Sequence, residues 1–146
     1  MALRPAKTSD IPAIVELAIK SVSRDPLPVT PDPERMAAMA ASLIGNPAHF
    51  AWVGETDGKV TACVGAQVGP GFWFRGLQAS VLVYFAETPG QGGLLIVKLA
   101  RWVKSRSGIK LAVFETEPDT DPRLDRLLVR LGFGRKTNNW GYVRQP

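Results

Sequence analysis

Ser80-Val-Leu-Val-Tyr-Phe-Ala-Glu-Thr-Pro-Gly-Gln-Gly-Gly-Leu94 decides the fold. The apolar run Ser80–Ala86 predicts a strand, and Leu94 to Arg106 predicts a helix. Gly90, Gln91, Gly92 and Gly93 predict the turn between them. A glycine turn of this kind leaves the first amides of a helix without side-chain cover, and the aligned peptide dipoles there favour an anion. A phosphate-bearing ligand follows as the candidate. The stretch contains no G-x-x-x-x-G-K-[ST], and no G-x-G-x-x-G followed by an acidic residue about 20 positions later, so triphosphate and dinucleotide sites lose support. Glycines that only permit a tight turn are the alternative.

Downstream, the helix carries Leu95, Ile96, Leu99, Trp102 and Val103 on one face and turns Lys98, Arg101 and Lys104 outward. Gly108 closes it, and Ile109–Phe114 predicts a short strand, giving a strand–helix–strand unit with parallel strands. Asp121-Pro122 opens a last helix with Leu124, Leu127, Leu128 and Leu131 on one face, closed by Gly132 and Phe133. Phe133–Lys136 and Trp140–Arg144 predict a final hairpin.

Upstream, Leu77–Ala86 is apolar on both faces from Val81 to Phe85, which predicts a central strand. Before it lies Gly69-Pro-Gly-Phe-Trp-Phe-Arg-Gly76, a loop with three adjacent aromatics. Phe50–Glu55 and Lys59–Val68 flank Thr56-Asp57-Gly58, a strong hairpin signal. Leu3–Pro5 predicts a first strand. A first helix follows Thr8-Ser9-Asp10 with Ile11, Ile14, Val15 and Ala18, and a second runs from Asp32-Pro33 to Gly45. The proline-rich stretch from Asp25 to Pro33 reads as a stiff connector. The chain shows no internal repeat.

At 146 residues and 45% hydrophobic content, the chain fits one domain spanning residues 1–146. It lacks the run of roughly 18 apolar residues that a membrane span needs, and a cytoplasmic location is expected. One cysteine, Cys63, and one histidine, His49, leave no disulfide framework and no histidine-based metal cluster, so no metal is expected. Net charge is +5, placed unevenly. Residues 98–146 hold eleven Lys/Arg against five Asp/Glu, and residues 1–97 hold seven against eight. The basic half begins at the glycine turn, which suits a polyanionic ligand. Nucleic acid is a rival class, but no recognised nucleic-acid motif supports it.

The order β α α β β β α β α β β, the glycine turn, the helix ending in Arg130-Leu-Gly-Phe133 and the closing hairpin together resemble the GNAT superfamily of N-acetyltransferases. The likeness covers about Leu3 to Arg144. It extends to small GNAT-like proteins of tailed-phage genomes through Phe72-Trp73-Phe74, Gln91-Gly92-Gly93 and Trp102. The resemblance implies a single-domain α/β GNAT fold. Its sheet would be mixed and mostly antiparallel, with a parallel, splayed fourth and fifth strand pair and helices on its flanks. It also implies acetyl-CoA, or a related acyl-CoA, as cofactor, with direct acyl transfer to a primary amine in a ternary complex.

The family turn [QR]-x-x-G-x-[GA] maps onto Gln91, with Leu94 and Ile96 where small residues usually sit. A second register places Glu87 in the Gln/Arg slot. The resemblance then implies that amides of Gln91, Gly92, Gly93, Leu94 and Leu95 hold the diphosphate. The Phe85 and Ala86 backbone would take the pantetheine arm, and Lys98, with Arg101 and Lys104, would screen phosphates. The general-acid Tyr of the family corresponds to Leu128 here, and the Asn seven residues earlier to Asp121. Glu115 as base and Tyr84 as proton donor are the substitutes. The aromatic loop is expected as a core plug or a homodimer contact rather than a substrate pocket. The acceptor is a small-molecule or protein amine. A GNAT fold without catalysis, serving as a binding module, is the runner-up.

Overall fold

The computed structural model describes residues 2–23, 29–116, 121–134 and 142–144. Among these, five strands form one sheet in the order β1-β2-β3-β4-β5. They are β1 (Ala2–Pro5), β2 (Phe50–Thr56), β3 (Lys59–Pro70), β4 (Leu77–Ala86) and β5 (Ile109–Val113). Neighbours run antiparallel except β4 and β5, which are parallel. The helices are α1 (Ile11–Ser23), α2 (Pro33–Ile44), α3 (Pro89–Ser105) and α4 (Pro122–Arg130). Residues 135–141 of the expected closing hairpin and residues 25–28 of the connector lie outside the described residues; 133–134 and 142–144 are described and carry no strand.

Local chemistry sets most boundaries. Asp57 and Gly58 take φ of 53° and 77°, the positive values a two-residue type I′ turn needs, and Thr56 pairs with Lys59 across it. The Asp32 carboxylate accepts from the amides of Glu34 and Arg35, with Pro33 opening α2. At the end of α4, Gly132 has φ of 96°. Its amide donates to Val129 O, and the Phe133 amide donates to Leu128 O at 2.9 Å, a Schellman closure. Thr8–Asp10 forms a short 3-10 turn instead of capping α1. Asp10 turns inward and holds the Arg4 guanidinium through two bonds of 2.7 and 2.8 Å.

Helices cover both sheet faces. One cluster joins Ile14 and Leu17 of α1 and Ala40 of α2 to Val53, Cys63 and Phe85. The other joins Leu95 and Leu99 of α3 to Phe50, Ala62, Val64 and Ala66. Trp102 packs against Phe50, with ring centroids 5.3 Å apart. Among the described residues, no helix is long and apolar enough to cross a membrane.

Besides a register shift between β4 and β5 at Leu77/Gln78, two strand irregularities depart from the simple alternation the sequence suggests. On β3, Thr61 is inserted between Val60, which pairs with Glu55, and Ala62, which pairs with Gly54. On β4, Leu82 is inserted between Val81, which pairs with Ala66, and Val83, which pairs with Gly65. Such bulges reverse side-chain parity. Val81 accordingly packs with the α3 cluster and Val83 with the α1–α2 cluster, although they are two residues apart.

β4 is an inner strand, between β3 and β5, as expected, but β5 pairs with it only from Leu77 to Ser80, and Leu82 is 45% exposed. One expectation is corrected. The glycines are not a turn preceding a helix that starts at Leu94. The helix begins at Pro89, because Thr88 takes an extended N-cap conformation and the fixed φ of proline suits the first helical position.

Candidate functional site

β4 and β5 part after the Ser80–Val113 pair, and a cleft of about 1000 Å³ occupies the gap. Its floor is Val81–Ala86 of β4, with Glu87 just past the strand. One wall comes from α1 and α2, and the other from Phe114–Thr116 and α4. The first turn of α3 closes one end through Gly90 and Gly93. A parallel pair that opens leaves one edge of the longer strand without its neighbour, and the bulge at Leu82 lies where the divergence starts.

The α3 terminus carries donors without side-chain cover. Thr88 makes no side-chain cap bond, and Pro89 has no amide proton. The Gly92 amide already reaches Thr88 O at 3.3 Å. Gly93, Leu94 and Leu95 lie within the helix, so their amides point along its ladder. Of the two unbonded donors that remain, Gly90 lines the cleft, while Gln91 is 1% exposed and does not. A Cβ at Gly90 would meet nothing within 4 Å, so the space beside its Cα is open.

The predicted cofactor residues therefore divide. Phe85, Ala86 and Gly93 line the cleft; Gln91, Gly92, Leu94, Leu95 and Lys98 do not. Leu94 is 44% exposed, and Leu95 is fully buried. The Lys98 ammonium sits 5.4 Å from the centre of the Trp52 ring, on the α3 side of the sheet. Gly92 serves close packing: a Cβ there would collide with the Tyr84 hydroxyl and with Ala86 Cβ.

Gln91 is the largest surprise, being 1% exposed. The bulged Thr61 hydroxyl donates to its carboxamide oxygen at 2.6 Å, and its amide nitrogen donates to Glu55 O at 3.3 Å. Gly54 makes room, since a Cβ there would stand 2.6 Å from Gln91 Nε2. The side chain thus ties the first turn of α3 to β2 and β3. Sequence reasoning missed Gly54 and Thr61 as its partners. Only the unusual glycine in the middle of an apolar strand hinted at a close approach.

Tyr84 lines the cleft on the α3 side of β4, its ring edge-on to Phe114 with centroids 5.5 Å apart. Burial, with a smaller contribution from the negative charge of Asp121, raises its pKa. The hydroxyl therefore stays protonated and abuts Gly92 under the helix mouth. Glu115 is exposed just past β5 and faces the cleft. Asp121 caps α4 and pairs with Arg123 at 2.7 Å, and the hydrogen bond from Arg123 lowers its pKa. Leu128 is buried in the core and does not line the cleft.

The remaining candidates lie elsewhere. Phe72 and Trp73 are exposed and outside the cleft, while Phe74 folds over Gly71. The His49 ring accepts from the Val68 amide at 3.0 Å. Burial pushes the Cys63 thiol up to about 12.

No family model matches the sequence, and no curated protein matches it. Solved structures do match its shape. A predicted acetyltransferase from Clostridium acetobutylicum, solved with acetyl-CoA, is similar at TM-score 0.74 and 14% identity, over 98% of this chain and 95% of that one. An aminoglycoside acetyltransferase from an uncultured soil metagenomic sample, solved with sisomicin, is similar at 0.67 and 14%, over 99% and 96%. A transcriptional regulator from Bacillus halodurans C-125 is similar at 0.74 and 15%, over 98% and 99%. The chain has the fold of GNAT-type acetyltransferases.

Proposed function

We propose that the protein is an acyl-CoA-dependent N-acyltransferase moving an acetyl group to a primary amine. The observation that carries this reading is the split between β4 and β5, opening beside a helix mouth whose amides have no side-chain cap. The residues fit such a ligand. Gly90, which lines the cleft, offers its amide to a diphosphate, and the positive end of α3 adds to the attraction. The open edge of β4 past Ser80 offers backbone groups to an amide-bearing arm, as an added strand would use them. Acetyl-CoA would supply the acyl group as a thioester, already activated toward an amine.

The chain's own residues would bind, orient and move protons as the nitrogen–carbon bond forms and the thioester carbon–sulfur bond breaks. The Tyr84 hydroxyl, held protonated beside Gly92, would give a proton to the departing thiolate. The Glu115 carboxylate, at the other lip of the split, takes the proton of the incoming amine directly or through water. Orientation in the cleft supplies the rest of the rate enhancement. The buried Leu128 supplies no acid, which favours a second reading: an acyl-CoA-binding module of the same fold with little turnover.

Thermal unfolding with and without acetyl-CoA tests the cofactor. A ligand at a hundred times its Kd stabilises by about 2.7 kcal/mol, a rise of several degrees in Tm. Thiol release over a panel of amines then separates enzyme from module. An unchanged Tm at millimolar acetyl-CoA contradicts both readings.

A further inference from the structure

From the composition of the cleft we infer its acceptor class: a primary amine carried on an apolar, aliphatic or aromatic body. This rests on the acyltransferase reading above. Val22 of α1, Met39 of α2 and the bulged Leu82 of β4 are 48%, 43% and 45% exposed, and all three line the cleft. Large apolar side chains left open inside a concave site mark the part of a ligand that they cover. Met36 lies beside them, and methionines adapt to varied apolar shapes. Leu82 reaches this position only because the bulge adds a residue to β4.

Charge points the same way. The cleft's carboxylates are Glu87, Glu115 and Asp121, and Arg35, Arg123 and Arg130 also line it. Lys20 engages Glu87 at 3.3 Å, and Arg123 engages Asp121 at 2.7 Å. Glu115 has no ion-pair partner among the described residues. One such carboxylate matches one ammonium group. Arg35 lies 3.9 Å from Asp32, and a polycation would find Glu115 as its one such carboxylate and no surplus of negative charge.

The test is thiol release from acetyl-CoA with propylamine, butylamine, pentylamine and hexylamine, set against spermidine and sisomicin. Saturation-transfer NMR reads binding of the same amines without turnover. Each added methylene is expected to raise kcat/KM, or affinity, two- to fourfold. Hexylamine is expected to exceed spermidine at least tenfold. Met39→Glu, an exposed position, is expected to narrow that ratio tenfold without lowering Tm. A flat response to chain length, or a preference for the polycations, overturns the inference. Acetyl-CoA binding without alkylamine binding overturns it too, and leaves the acyl-CoA reading standing. Alkylamine binding without acetyl-CoA binding does the reverse.

Discussion

The Thr61 hydroxyl donates a 2.6 Å hydrogen bond to the Gln91 carboxamide in the interior between the sheet and α3. That bond joins a bulge on β3 to the first turn of the helix whose mouth forms one end of the cleft. Gln91 thus acts from behind the site, fixing the first turn of α3 and with it Gly90, without facing the cleft.

Gln91→Ala removes the bonds to the Thr61 hydroxyl and the Glu55 carbonyl, and leaves Thr61 with the Thr56 hydroxyl at 3.1 Å as its side-chain partner. The expected loss is about 2–3 kcal/mol of stability, read by denaturant unfolding. Acetyl-CoA affinity falls only moderately, as the helix mouth loosens. A large affinity loss with unchanged stability means that the side chain touches the ligand directly.

Gly54→Ala forces a methyl against Gln91 Nε2 and is expected to cost about 1–3 kcal/mol by overpacking. In the double variant Gly54→Ala/Gln91→Ala the clash is gone. The two single losses should then fail to add by about 1 kcal/mol or more. Strict additivity in the cycle contradicts the packing described.

Two neighbouring glycines should behave oppositely. Gly90→Ala meets open space in a helix, so Tm should rise, by up to about 1 kcal/mol of stability. Its acetyl-CoA affinity should drop, because the methyl stands at the mouth. Gly92→Ala collides with Tyr84 and Ala86 and should lower Tm, with partial rescue by Tyr84→Phe. Equal thermal behaviour of the two variants excludes this assignment.

Asp10 carries the pH dependence of the N-terminal region. The hydrogen bonds from Arg4 hold its carboxyl below the usual aspartate range. A lowered folded pKa means the contribution is fully present above the unfolded value of about 3.9 and is lost as pH falls through the folded one. Asp10→Asn should cost about 3 kcal/mol at pH 7. The gap between variant and wild type should close below about pH 4; a constant gap down to pH 2 argues against the ion pair as its source.

Glu115→Gln should reduce kcat by about a hundredfold and leave acetyl-CoA binding unchanged. Steady-state kinetics paired with calorimetry reads both. Unaltered kcat removes Glu115 from proton transfer.

What the sequence made legible was local. The Asp57-Gly58 turn, the Asp32-Pro33 helix start and the Gly132-Phe133 closure are each written in adjacent residues, and each formed as their chemistry dictates. Thr88-Pro89 carried an equally readable helix start, but the glycines after it drew the boundary too late. The bulges at Thr61 and Leu82 were not readable, since an inserted residue is fixed by the partner strand and leaves no mark of its own. For the same reason Gln91 looked like a ligand-facing residue. Its partners, Gly54 and Thr61, are brought to it only by the folded sheet.

The most direct test is an amide-resolved NMR titration of the protein with coenzyme A. The largest shifts are expected on Gly90 and along Val81–Ala86, the helix mouth and the open strand edge. Shifts confined to the basic outer face of α3 around Arg101 and Lys104, or no shifts at millimolar ligand, contradict the proposed site.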